Sequence, residues 1–368
     1  MMNTKNIFML ALCLMVASVP KLKAQVTEST YNLEALLPAV DIFDLVSVSK
    51  PVIKRGDPGT EDNKYGLEGG CAFLYKGEYQ LFTAERHDDP VITAMRLAHW
   101  SSKNGKKWQR NSTVVQGSAD FKGIDIKSSL WSPMPVFDAQ TDRWNLFYVM
   151  YQSKPDEGEV FYRNYNGRVM RAVSQSPGYD GLAGPYEDEA IILEPGIFSD
   201  EWEGLQGTDS FFPFKVKDKW YGFYGSAQTQ ANKNPKYPHW AVGLAVADSL
   251  TGNWTRWTEI NPVRLHHHFA ENPIVTQLKS GLYVAFVDTF DKSAIAYSTS
   301  KDGKTWTKAT SIFLDQKRSP WWTQMRTPLG LIEEKDGSFT VFFTAFTEGG
   351  LESFAALGMV KLKLKENI

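Results

Sequence analysis

Cysteine is almost absent, with two residues in a chain of 368. Cys13 lies inside the N-terminal apolar run and lacks the small preceding residue of a lipid-attachment site, since Leu12 stands there. Cys71 is then left without a partner, so no internal disulfide is available and stability must come from a large core. A long apolar run is missing as well. The one candidate, Ile7 to Val19, is preceded by Lys5 and followed by Pro20 to Ala24. It is too short for a membrane span and reads as a secretion leader cut before Gln25. Residues 1–24 are therefore expected to be a signal peptide, and the protein to be exported, periplasmic or extracellular, with no membrane partner.

Excess charge of either sign is lacking too: 40 Lys and Arg face 42 Asp and Glu, a net charge of −2. No basic cluster rises above that background, and the tail KLKLKENI reads as a solvated strand end, so a nucleic-acid partner is not expected. Sustained helical periodicity is absent, as are the HxxxH and HExxH spacings that place two histidines on one metal. The run His266-His267-His268 does not replace them, because consecutive residues of an extended segment point to opposite faces. No metal site or required cofactor is expected.

What the sequence does have is aromatic residues, 13% of the chain with twelve Trp, and an internal repeat. From Gly69 onward, β-branched and aromatic runs are split by short polar turns. Hairpins recur in CAFLY-KGE-YQLFTA, SPMPVF-DAQTD-RWNLFYVMY, FFPFKV-KDK-WYGFYGS, PIVTQL-KSG-LYVAFVD and PLGLIE-EKDGS-FTVFFTA. A third run rich in small residues follows each pair, and four of the five then turn into a more polar fourth run. Two of those turns nearly match, Ser102 to Trp108 and Ser300 to Trp306. This order predicts an all-β fold, a five-bladed β-propeller in which each blade is a four-stranded antiparallel sheet. The fifth unit lacks its fourth strand. Residues 25–60 are read as an extension that supplies this ring-closing strand, expected within Val46 to Ile53, and residues 61–368 as the propeller domain, a monomer.

In a propeller the first strand of each blade lines the central channel. Aligning the five hairpins brings Glu68, Trp131, Asp209, Glu271 and Arg326 to equivalent leading positions. Charge on an inner strand is costly unless paired or hydrated, so four charged residues at five matched positions mark a site. One reading is a ring of ion pairs that only holds the channel together. Another is paired-acid catalysis of glycoside cleavage, with one carboxyl protonating the leaving oxygen and another activating water.

At these positions the sequence resembles the five-bladed glycoside hydrolases of family 43 and their relatives in families 32, 62 and 117. Glu271-Asn272-Pro273 is similar to the family's Glu-Gly-Pro motif, whose glutamate is the general acid. Thr208-Asp209-Ser210 stands in the place of Ile-Asp-Pro, whose aspartate orients the acid and tunes its pKa. Trp131-Ser132-Pro133 is close to Trp-Ala-Pro. The first blade departs: Leu67-Glu68-Gly69-Gly70 replaces a motif with an aspartate base, and glutamate is one methylene longer. The resemblance implies Glu271 as acid, Asp209 as its tuner, Glu68 as base, and Arg326 and Trp131 as substrate contacts. It also implies an oligosaccharide or polysaccharide substrate of plant or algal origin, inversion, and room for a structural Ca²⁺ or Na⁺ in the channel. In family 117 a histidine takes the acid role, which keeps His267 and His268 as candidates.

Further candidates for contact with the sugar are Arg86 and His87 in the charged run after the second strand, and His239 and Trp240 ahead of the third strand of blade three. Trp202, Trp321 and Trp322, on connections near blade starts, are candidates for a stacking wall, with Trp322 the one assigned to substrate. Phe211 and Phe214 follow strand periodicity and are expected in the core. Two other functions stay open: a non-catalytic glycan-binding propeller, and a polysaccharide lyase working through His87 and Arg326.

Overall fold

The structure, a computed structural model, describes residues 37–227, 240–266, 269–289 and 291–366. It opens with β1 (Phe43–Val48). The first sheet follows as β2 (Leu67–Tyr75), β3 (Glu78–Arg86), β4 (Met95–Ser102) and β5 (Gln109–Gln116). The second comprises β6 (Ser129–Asp138), β7 (Arg143–Gln152), β8 (Tyr165–Ser174) and β9 (Tyr186–Leu193). The third comprises β10 (Asp209–Val216), β11 (Lys219–Ala227), β12 (Trp240–Ala247) and the short β13 (Thr255–Arg256). The fourth comprises β14 (Glu271–Gln277), β15 (Tyr283–Asp288), β16 (Ala294–Ser300) and β17 (Thr310–Phe313). Three strands of the fifth are β18 (Gln324–Glu333), β19 (Phe339–Phe346) and β20 (Ala355–Leu364).

Every pairing between these strands is antiparallel. The first strands form a closed inner ring: β2 packs on β6 and β18, β10 on β6 and β14, and β14 on β18. This is the five-bladed propeller that the repeats predict.

The fifth sheet has the order β1-β20-β19-β18, so the outer strand of the last blade comes from the start of the chain. Its span is Phe43–Val48, earlier than the Val46 to Ile53 expected from the β-branched run. Two physical causes set the difference. Phe43 is buried against Phe286, Tyr297 and Phe339, and the Tyr297 hydroxyl accepts a hydrogen bond from the Ile42 amide at 2.7 Å. At the other end Pro51 has no N–H for a ladder, and Ile53 makes only an isolated bridge to Leu357.

The core lies between neighbouring sheets. Phe214, Phe223, Leu244, Val275 and Trp306 fill one such interface, and Phe82, Leu97, Leu130, Leu146 and Tyr148 another. Phe211 packs edge-on against Trp254 and is fully buried, and Phe214 is buried as well. Each such side chain contributes about 1.5–3 kcal/mol relative to exposure. Small residues on the third strands permit this closeness: a Cβ at Gly358 would stand 2.5 Å from the Phe343 ring and 2.7 Å from Trp321. The two matching turns share one device, an Asn or Asp side chain that accepts successive backbone N–H groups. Asn104 takes those of Lys106 and Lys107, and Asp302 those of Lys304 and Thr305.

Candidate functional site

Each inner strand is disturbed near its leading residue. The ladder shifts register between Glu68 and Gly70, Trp131 and Met134, Asp209 and Phe211, Glu271 and Ile274, and Met325 and Pro328. A bulge of this kind bends the strand and re-aims a side chain. In four blades the residue just after the leading one has left-handed backbone: Gly69 at φ 68°, Ser132 at 50°, Ser210 at 40° and Asn272 at 50°. Three of these four are not glycine, and such conformations persist only where the surroundings impose them. The bulges turn the leading side chains toward one mouth.

Glu68, Trp131, Asp209, Glu271 and Arg326 all line one cavity of about 270 Å³. The three acids are buried, at 1%, 6% and 5% exposure. Arg326 sits between two of them: its Nε donates to Glu68 Oε1 at 2.8 Å, and its Nη1 lies 3.4 Å from Glu271 Oε2. Arg86 Nε lies 3.4 Å from the other Glu68 oxygen. Tyr151 donates its hydroxyl to Asp209 Oδ1. Trp131 and Trp240 form aromatic walls with Phe161 and Phe346, and Ile92 and Leu351 add apolar surface.

This environment sets the protonation states. Burial is the largest influence on Glu271 and lifts its pKa to about 7; Arg326 pulls it down, while Asp209 and Glu68 push it further up. Burial likewise raises Asp209 to about 6, against the Tyr151 hydrogen bond and Arg326. Burial works against the charge of Arg326, but Glu271 and Glu68 outweigh it and keep the guanidinium protonated. A carboxyl that carries its proton close to neutral pH is the group a general acid requires.

Not every candidate reaches this cavity. Arg86 is fully buried, and its guanidinium donates to the carbonyls of Tyr65, Leu351 and Ser353. It holds Glu68 and the Leu351 segment from behind instead of meeting a sugar. His87 lies outside the cavity lining, 3.2 Å from the Gln116 amide nitrogen; burial and Arg96 lower its pKa. Trp322 is a packing residue, buried edge-on against Trp321 and Phe343 with its Nε1 on the Lys292 carbonyl. Trp202 is buried against Tyr224. His239, His267 and His268 lie outside the described residues.

Several residues of the site had no sequence signal strong enough to single them out. Phe161, Asn164 and Gln206 come from connections, and Gln324, Phe346, Gly350 and Leu351 from blade five. Tyr151 and Asp288 end second strands, beside leading residues. Asp288 did leave a trace, an acid closing the otherwise apolar run YVAFVD. Among the described residues no group of three or more His, Cys, Asp or Glu is arranged to hold a metal ion.

No known family's sequence pattern matches the chain, and no curated protein matches it. Solved structures do. A family 117 glycoside hydrolase of the marine bacterium Zobellia galactanivorans superposes with a TM-score of 0.60 at 15% identity, covering 91% of this chain and 93% of its own. Another glycoside hydrolase gives 0.63 at 16% identity, over 85% and 92% of the two chains. A family 43 enzyme of Xanthomonas citri complexed with xylotriose gives 0.55 at 12%, over 86% and 90%. Structures from several glycoside hydrolase families thus share this fold, and at such identities the likeness is one of fold: a complete five-bladed propeller.

Proposed function

We propose that the protein is an exported glycoside hydrolase that acts on a plant or algal oligosaccharide or polysaccharide, with exo action and inversion. One observation carries the reading: three buried carboxyls, Glu68, Asp209 and Glu271, share one cavity with Arg326, and burial raises the pKa of Glu271 to about 7. Glu271 protonates the departing glycosidic oxygen. Glu68 takes a proton from the attacking water, and Asp209 tunes Glu271 through the field between them. One guanidinium touches both Glu68 and Glu271, so the two carboxyls face one cavity, as a paired-carboxyl mechanism requires. Trp131 and Trp240 stack on sugar faces. The cavity of about 270 Å³ suits one terminal sugar, which favours exo action, and no cofactor is needed. Fold neighbours from several glycoside hydrolase families, one of them holding xylotriose, support a carbohydrate substrate.

A screen of purified protein against aryl glycosides and plant and algal oligosaccharides, beside Glu271→Gln, tests this. Sugar release that falls by about 10²–10⁴-fold in the variant is expected; undiminished release would sink the assignment of Glu271. One observation favours a second reading, glycan binding without cleavage: guanidiniums engage both oxygens of Glu68. Ligand binding by wild type and Glu271→Gln alike, with no turnover by either, would establish it. The lyase reading loses its base, since His87 is not in the cavity of Arg326.

A further inference from the structure

A fourth carboxyl stands behind the cavity with no part in the scheme above. Asp288 closes β15, where it pairs directly across from Glu271, and it is 2% exposed. Its Oδ2 accepts hydrogen bonds from Asn272 Nδ2 at 3.1 Å and Thr327 Oγ1 at 3.4 Å. Its Oδ1 is buried and receives none. The guanidinium of Arg326 makes its ion-pair contacts with Glu68 and Glu271 instead. A buried carboxylate with one bare oxygen and no cation in contact is strongly disfavoured, whereas a carboxylic acid there leaves only one unpaired O–H, a far smaller cost.

The two donors are informative. Asn272 follows Glu271 and holds the left-handed turn of that bulge, and Thr327 follows Arg326. A single oxygen thus ties together the turns that project the acid and the guanidinium. Resting on the proposed function, we propose that Asp288 is a positioning residue of this site, an uncharged carboxylic acid whose Oδ2 clamps the turns that aim Glu271 and Arg326.

Charge around it agrees. Burial pushes the Asp288 pKa well above the usual carboxylate range; Arg326 on β18 pulls it back, and Glu271 on β14 and Glu68 on β2 push it further. On its other side β16 carries only Tyr297 as a titratable group. An uncharged Asp288 holds the bulge without adding a further negative charge beside Glu271.

Thermal unfolding of the wild type, Asp288→Asn and Asp288→Ala between pH 4.5 and 8 tests the proposal without any substrate. A group whose folded pKa is raised stabilises the fold below its unfolded value, about 4, and that contribution is lost as pH rises toward the folded value. Asp288→Asn keeps an acceptor oxygen and cannot ionise, so its Tm relative to wild type should climb as pH rises. Asp288→Ala should show the same climb from a lower baseline, so either variant alone decides the matter. A difference that is flat, or that falls toward pH 8, would overturn the proposal by showing an ionised, cation-paired Asp288.

The positioning part is read on a substrate found by the screen. Asp288→Asn should keep kcat and the alkaline limb, while Asp288→Ala should lose about tenfold or more in kcat with KM little changed, as misplacement of a catalytic group does. Equal activity in the two variants would refute the clamp. Absence of any turnover would fail the glycosidase reading but leave the unfolding result to stand.

Discussion

Replacing Arg326 by methionine should destabilise the fold in a way that depends on pH. The guanidinium touches Glu68 at 2.8 Å and Glu271 at 3.4 Å, and those two side chains are only 2% and 6% exposed. Removing one partner of a buried pair costs about 3–5 kcal/mol, because the remaining charge is left uncompensated. Arg86 still reaches the far oxygen of Glu68 at 3.4 Å, which places the expectation at the lower end, about 3 kcal/mol. At roughly 2–4 °C per kcal/mol for a larger domain, Tm should drop by roughly 6–12 °C. The pH sign follows from the site. Arg326 lowers the Glu271 pKa from where burial would put it, so without it the folded pKa rises above its wild-type position near 7. A raised folded pKa stabilises below the unfolded value, about 4.3 for glutamate, and the benefit is lost as pH rises. The deficit of Arg326→Met should therefore be largest at pH 8 and smallest near pH 4.5. Calorimetry at both values measures it. Wild-type stability at pH 8, or an equal deficit at both, would refute the idea that this guanidinium compensates buried acids.

Three further outcomes follow from the same geometry. Arg86→Met takes the donor from three carbonyls and one of the two neighbouring cations from Glu68 and should cost at least about 3 kcal/mol in denaturant unfolding; near-wild-type stability with a raised KM would make Arg86 a sugar contact after all. Tyr151→Phe removes a hydrogen bond that lowers the Asp209 pKa, so Asp209 should keep its proton to higher pH, push Glu271 up less, and let the alkaline limb of kcat/KM move to lower pH. An unmoved limb would show that Asp209 does not govern activity. Trp240→Ala should raise KM by up to about tenfold, the worth of an aromatic contact beyond its area, about 0.5–1.5 kcal/mol, with Tm nearly unchanged; the reverse pattern would make Trp240 a packing residue.

Much of the architecture was legible because the propeller is a repeat. Five hairpins, each followed by a third run rich in small residues, gave the blade count, and small residues such as Gly358 marked where sheets press together. The leading positions were legible for the same reason: Glu68, Trp131, Asp209, Glu271 and Arg326 share one place in the repeat, and the bulges beside them share one geometry. What fell outside the repeat was read less well. The closing strand begins at Phe43 because a buried aromatic cluster, not β-branching, selects it. Charged side chains misled where sequence cannot distinguish outward from inward: Arg86, in a charged run, was a candidate for sugar contact, yet it is fully buried on main-chain carbonyls. Phe161 and Leu351 arrive from connections, where no periodicity indicates direction.

The most direct test of Glu271 as the general acid is the pH dependence of kcat/KM on an oligosaccharide whose leaving group needs protonation. Wild-type kcat/KM should fall above about pH 7, where Glu271 loses its proton, and Glu271→Gln should lack that limb along with most of the activity. A rate that stays level or climbs from pH 7 to 9, or a variant that keeps the same limb, would contradict the assignment of Glu271 as the acid.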